Sequence, residues 1–245
     1  MSMTRFFISL CLLSGNFTIA MENLALKGDL FTAIPIPEDI KYVISDIQED
    51  VAQCFYGIEF SPSALDNLHI TIQVIAPVEN QDYLENYIEQ INDGLMLVPG
   101  PFKNFAKRRG WDRSWNFVSK LQSGRLKISQ NGIVMLSVGK SDLLRHLGKI
   151  IEQTLSMTGV ETKRNDVKDK YEAHITLGAI PYDRVYEARS RRCGINFKTK
   201  FKGHKFIIDR FVLLQSNRPA RVRRYYCHYE YKLPLGKDEI CSCQF

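Results

Sequence analysis

Apolar and polar residues alternate along the chain with two different periods, and these periods predict the secondary structure. A period of two predicts strands, whereas a period near 3.6 predicts amphipathic helices. The predicted strands are 30–36, 67–76, 133–138, 172–180, 206–215 and 224–233. The predicted helices are 38–52, 80–92 and 142–157. In residues 95–127, Gly and Pro interrupt both periods. We predict one or two strands there, together with a basic loop that contains Trp.

Two of the predicted strands contain the same short motif, His-x-Thr between aliphatic residues. The first motif is His69-Ile70-Thr71 and the second is His174-Ile175-Thr176. In a strand, the His and Thr of each motif point to one face and the aliphatic residues to the other. A single His on a strand is usually structural, but the repetition favours a functional pair. Two imidazoles facing one phosphate could act as general base and general acid without a metal.

Each half of the chain has the same order of strand, amphipathic helix and His-x-Thr strand. Helix 38–52 precedes the first motif by about the same distance as helix 142–157 precedes the second. No low-complexity segment or linker separates the halves. We therefore predict an α+β fold with one two-lobed, internally duplicated domain. Two mainly antiparallel sheets would form a central cleft, with the helices on the outside.

Composition and charge point to a globular protein with an anionic partner. The 245 residues are 44% hydrophobic, and the net charge is +6. The positive charge is concentrated in residues 102–127 and 184–224. Trp111 and Trp115 lie among the cations of the first segment, a pattern typical of nucleic-acid contacts. A small satellite core with charged side chains at its surface would show the same pattern.

The first 20 residues resemble a secretory signal peptide. Arg5 precedes an apolar run, 6–13, that is too short to span a bilayer, and small residues follow at 18–20. We therefore predict a secreted protein without a membrane span. If Met21 were the true start, the protein would be cytoplasmic. Removing the leader leaves five cysteines, an odd number that fits a reducing compartment better than full disulfide pairing.

The two motifs and their flanks identify a family resemblance. The chain is similar to the 2H phosphoesterase superfamily, in its 2'-5' RNA ligase-like and cyclic phosphodiesterase group. Both motifs are complete, and each is followed by an aliphatic residue, Ile72 or Leu177. The resemblance covers about residues 28–235, with a basic insertion at about 103–127. Residues 236–245 would form a C-terminal tail.

The resemblance implies a metal-independent phosphodiesterase that needs no cofactor and acts on RNA or nucleotide phosphodiesters. Its substrates would carry 2',3'-cyclic phosphate ends or 2'-5' linkages. His69 and His174 would be the catalytic acid and base, in either order, and the hydroxyls of Thr71 and Thr176 would bind the phosphate. Further candidate substrate contacts, chosen by position, are Tyr171, Arg109, Trp111 and Tyr225.

Two alternatives to this function remain open. One is cleavage of 2'-5' oligoadenylates, which would make the protein an antagonist of host innate signalling. The other is a non-catalytic module that binds nucleotides or RNA, although two intact motifs argue against it. The C-terminal Cys241 and Cys243 lack a second ligand pair at metal-site spacing, so no metal is predicted. A monomer is favoured.

Overall fold

One antiparallel sheet contains all the strands of the described residues. The computed structural model describes residues 28–78, 84–109, 116–162, 172–216 and 225–234. The strands are β1 (Gly28–Pro35), β2 (Ser61–Pro62), β3 (His69–Val78), β4 (Arg125–Ile128), β5 (Ile133–Gly139), β6 (Ala173–Ala179), β7 (Arg210–Ser216) and β8 (Tyr225–Lys232). The helices are α1 (Glu38–Cys54), α2 (Leu84–Met96), α3 (Pro99–Arg108), α4 (Val118–Gln122), α5 (Asp142–Met157), α6 (Val185–Ser190) and α7 (Phe197–Lys200). The predicted leader, 1–20, and tail, 236–245, lie outside these residues.

The strand order places the two His-x-Thr strands next to each other inside the sheet. It runs β4-β5-β6-β3-β1-β7-β8, and β2 also pairs with β6. The two central strands, β3 and β6, meet at the bridge between Ile70 and Ile175. The two sheets predicted from the sequence are therefore the two halves of one eight-stranded sheet, joined at this bridge. The predicted α+β fold is confirmed.

The main core lies between one face of the sheet and the helices. The helical stripes predicted from the sequence are buried there, with Ile44 of α1 and Leu147 of α5 fully enclosed. Burying such a side chain contributes roughly 1.5–3 kcal/mol. The opposite face of the sheet is the one predicted from the sequence to line the cleft, and we call it the cleft face. A small second cluster of buried side chains lies on that face, formed by Phe31, Ala33 and Val212.

Each long helix packs beneath the His-x-Thr strand of the other half. Helix α1 follows β1 in sequence but packs against β6. There the buried Gln48 Nε2 donates hydrogen bonds to Leu177 O (2.7 Å) and Ser63 O (2.8 Å). Helix α5 follows β5 but packs against β3, where Gly148 allows the close approach of Ile72. The two halves therefore share one core.

The segment 95–127 is more helical than the sequence predicted. Only β4 is a strand among its described residues, whereas α3 and α4 are helices. Pro99 and Pro101 suggested a break, but they lie in the first turn of α3. The backbone N–H that proline lacks has no partner within a helix at that position, so both prolines are tolerated.

A disulfide joins the end of α1 to the loop after α6. Cys54 and Cys193 form it, with their Cα atoms 5.6 Å apart, which lies within the usual range. Within the described ranges, Cys227 is a free and exposed cysteine. The count of cysteines could not predict this pair, because the two partners are 139 residues apart in sequence.

Gly178 lies where β2 packs against β6. Pro62 is its register partner, and an added Cβ would overlap Ser61 O and lie 2.6 Å from the Phe60 ring. A glycine within a strand leaves space that either a ligand or another backbone segment can use. In the structure, the backbone of β2 uses it.

Gly178→Ala is therefore expected to lower the free energy of unfolding by about 1–3 kcal/mol, because the new methyl group displaces β2 and Phe60. Urea denaturation measures the change. Gly194→Ala is the control, since an added Cβ at Gly194 meets open space, and it should stay within about 0.5 kcal/mol of wild type. Equal stabilities for Gly178→Ala and wild type would contradict the close approach of β2.

Candidate active site

The bridge between β3 and β6 brings the two motifs to one place. Ile70 and Ile175 are register partners, and both side chains are fully buried on the helical side. Their sequence neighbours therefore project to the cleft face. An antiparallel register through this bridge sets His69 across from Thr176, and Thr71 across from His174. The four predicted residues thus form one group about the centre of the sheet.

The two imidazoles are oriented by equivalent backbone contacts. His69 Nδ1 lies 2.8 Å from Asn67 O, and His174 Nδ1 lies 3.1 Å from Glu172 O. A carbonyl oxygen can only accept, so Nδ1 carries the hydrogen in both rings. In the neutral ring, Nε2 is then an acceptor that can take a proton as a base. In the protonated ring, the same Nε2 can donate as an acid.

His69 is packed against aromatic rings. Its centroid lies 4.7 Å from that of Tyr225 and 5.2 Å from that of Phe31. The two aromatic rings also pack edge to face on each other, 5.6 Å apart. Tyr225 was predicted as a candidate contact, whereas Phe31 was missed. The available signal was the period of β1, which places Phe31 on the face opposite the buried Leu30.

His174 has a polar and charged environment instead. The Glu172 side chain accepts hydrogen bonds from Lys127 Nζ of β4 and Ser137 Oγ of β5. These two bonds, first that of Lys127 and then that of Ser137, lower the pKa of the Glu172 carboxyl, and the positive charges of Lys127 and His174 act in the same direction. Alternation put Glu172 on the face of His174, but it gave no sign of this network, because its partners lie on other strands.

Among the remaining predicted contacts, Arg109 is the one that the structure describes. Arg109 follows α3 in the helical layer, and its guanidinium lies 5.9 Å from the centre of the Phe105 ring. The structure therefore does not bring Arg109 to the His pair. Tyr171 and Trp111 lie outside the described residues.

Metal-ligand clusters and membrane-spanning helices are both absent from the described ranges. No cluster of three His, Cys, Asp or Glu side chains that could hold a metal occurs in 28–78, 84–109, 116–162, 172–216 or 225–234. No helix within these same ranges is long and apolar enough to cross a membrane.

Several solved structures resemble the chain over most of its length. Escherichia coli LigT complexed with 3'-AMP is 19% identical with a TM-score of 0.54, and the match covers 85% of this chain and 99% of LigT. A protein described as a phosphoesterase is 18% identical with a TM-score of 0.54, covering 84% and 98%. The protein TT0787 of Thermus thermophilus is 18% identical with a TM-score of 0.52, covering 84% and 97%.

The chain has the 2H phosphoesterase fold. No protein-family model and no curated protein matches the sequence. The resemblance drawn from the two motifs is thus confirmed at the level of the 2H fold.

The backbone contacts of the two rings lead to a spectroscopic prediction. The neutral forms of His69 and His174 are expected to carry their hydrogen on Nδ1, because both Nδ1 atoms face carbonyl oxygens. Long-range ¹H–¹⁵N correlation spectra identify the tautomer. His228, whose Nε2 lies 2.9 Å from Gln215 Oε1, is the comparison and should carry hydrogen on Nε2. An Nε2–H tautomer at His69 or His174 would rule out the proposed orientation.

Proposed function

We propose that the protein is a phosphodiesterase that cleaves RNA or nucleotide phosphodiesters by two-histidine acid–base catalysis. The observation that carries this proposal is the meeting of both His-x-Thr motifs at one bridge, between Ile70 and Ile175. E. coli LigT, which shares the fold, has been solved with 3'-AMP. That complex supports a nucleotide as the ligand class here.

The scissile phosphate would lie over the bridge, between the two imidazoles. One Nε2 takes the proton of the attacking oxygen, while the other gives a proton to the departing oxygen. Thr71 and Thr176 donate their hydroxyl hydrogens to the non-bridging oxygens, where negative charge develops. Among the described residues, neither the Thr176 hydroxyl nor His174 Nε2 has a hydrogen-bond partner. Both groups are therefore available to a substrate.

The two candidate substrates use this arrangement differently. With a 2',3'-cyclic phosphate, water attacks phosphorus and a ribose oxygen leaves with the donated proton. With a 2'-5' linkage, the adjacent 3'-hydroxyl attacks, the 5'-oxygen leaves, and a 2',3'-cyclic phosphate forms. Either His can serve as the base, and the roles can exchange between substrates.

Two other functions remain as competing outcomes of the test. A preference for 2'-5' oligoadenylate would favour the antagonist of innate signalling. Binding of nucleotides without turnover would favour a non-catalytic module. Two complete motifs favour turnover over binding alone, because proton transfer needs both imidazoles whereas binding does not.

A substrate panel tests the proposal: 2',3'-cyclic nucleotides, 2'-5' oligoadenylate and 3'-5' RNA, each with and without EDTA. His69→Ala and His174→Ala should each lower kcat by roughly 10²–10⁴-fold, since each removes a proton-transfer group. Thr71→Ala and Thr176→Ala should cost less, because water can replace a hydroxyl donor. His204 belongs to neither motif, and its Nδ1 lies 3.7 Å from Asp39 Oδ2 of α1. His204→Ala is therefore the matched control and should keep wild-type kcat.

Circular dichroism should show an intact fold in every variant, which excludes unfolding as the cause of a loss. Near-normal turnover in either His variant would refute the two-histidine mechanism. Activity that EDTA abolishes would refute metal independence.

We also propose that the protein is secreted through an oxidising compartment. The disulfide between Cys54 and Cys193 supports this proposal, since such bonds persist mainly outside the reducing cytosol. The signal-like residues 1–20 support it independently. A cytoplasmic protein that begins at Met21 is the alternative.

Expression of the full chain in cells with a secretory pathway tests this localisation. N-terminal sequencing should show that the exported protein begins after Ala20. Reduction with dithiothreitol, or the Cys54→Ser, Cys193→Ser double variant, should lower the free energy of unfolding by about 2–5 kcal/mol, because the bond closes a long loop. Retention of the protein in the cytoplasm, or stability that reduction leaves unchanged, would contradict the proposal.

A further inference from the structure

Among the described residues of the 103–127 segment, the basic side chains lie on two different sides of the sheet. Those of α3 belong to the helical layer, because Phe102 and Ala106 of that helix are buried in the main core. Arg125 and Lys127 of β4 are exposed, whereas the alternate residues Leu126 and Ile128 pack against the core. Alternation along the strand therefore places Arg125 and Lys127 on the cleft face.

The sheet register aligns Arg125 with His174. Arg125 pairs with Ser137 of β5, and Ser137 pairs with His174 of β6, so the three side chains form one row across the cleft face. Neighbouring strands lie about 4.8 Å apart, so the backbone of Arg125 is about 10 Å from that of His174. The long arginine side chain can span much of that distance.

The two cations of β4 differ in their availability. Lys127 forms an ion pair with Glu172, which neutralises its charge. Arg125 has no hydrogen-bond or ion-pair partner in the described part of the chain. Its guanidinium is a planar donor that suits two oxygens of one phosphate. The row that ends at His174 thus begins with an uncompensated positive charge.

We propose that Arg125 binds a phosphate next to the scissile one, and that the substrate is therefore an oligonucleotide rather than a single nucleotide. This inference rests on the proposed phosphodiesterase function and names its substrate class. A mononucleotide 2',3'-cyclic phosphate has no second phosphate to offer Arg125. An oligonucleotide with the same cyclic end offers one on its preceding nucleotide.

The competing explanation is that Arg125 only protects the edge of the sheet against pairing with other molecules. β4 is an edge strand, and charged residues on such strands block pairing with other molecules. Protection predicts no effect of Arg125 on substrate choice, so kinetics separate the two explanations.

The test compares kcat/KM for 2',3'-cyclic AMP with that for a short oligoadenylate ending in the same cyclic phosphate. Wild type should favour the oligonucleotide, and Arg125→Gln should lower the ratio of the two kcat/KM values roughly 3- to 10-fold, because one charge-assisted contact is lost. Arg108→Gln is the matched control from the helical side and should leave the ratio unchanged. An unchanged ratio in Arg125→Gln would overturn the proposal.

A binding measurement keeps this test separate from that of turnover. Fluorescence anisotropy with an oligoadenylate that ends in a 3'-phosphate reports affinity without cleavage. The slope of log affinity against log salt should be less steep by about 0.7 in Arg125→Gln, as expected for one lost phosphate contact on a single strand. If Arg125→Gln showed the wild-type salt slope and full turnover, the phosphate contact of Arg125 would be rejected but the phosphodiesterase function would stand. An altered slope without turnover of any substrate would reject the phosphodiesterase function and keep the phosphate contact.

Discussion

β3 and β6 pair through Ile70 and Ile175, and this pairing sets the position of every candidate catalytic side chain. Both isoleucines are fully buried, so their burial fixes which face of each strand turns toward the cleft. A slip of one residue in either strand would turn its His and Thr into the apolar core. The energy that holds the candidate site in register is thus the hydrophobic burial on the other side of the sheet.

The symmetry of the backbone is not matched by the chemistry around the two rings. Both imidazoles are oriented by a carbonyl two residues upstream. Around that shared geometry, β1 and β8 supply aromatic rings to His69, whereas β4 and β5 supply cationic and hydroxyl partners to Glu172, beside His174. Two identical motifs therefore occupy environments that differ in polarity. A substrate would contact aromatic side chains beside His69 and charged side chains beside His174.

The sequence predicted the parts of the fold that local periodicity controls. The two His-x-Thr strands and helices α1 and α5 have clear periods, and their repetition suggested the two lobes. It did not predict the helical nature of 99–108, since prolines mark helix starts as well as breaks. The disulfide and the Lys127 ion pair join residues far apart in sequence. Such contacts depend on strand order, which a single sequence does not reveal.

Each long helix covers the motif strand of the other half, and this exchange has a consequence for how the domain folds. Helix α1 packs against the buried face of β6, where Gln48 donates a hydrogen bond to the carbonyl of Leu177. Helix α5 packs in the same way against β3. Neither half is thus an independent folding unit, since each would lose the helix that covers its own motif strand. Damage to the helix of one half therefore loosens the strand that carries the histidine of the other half.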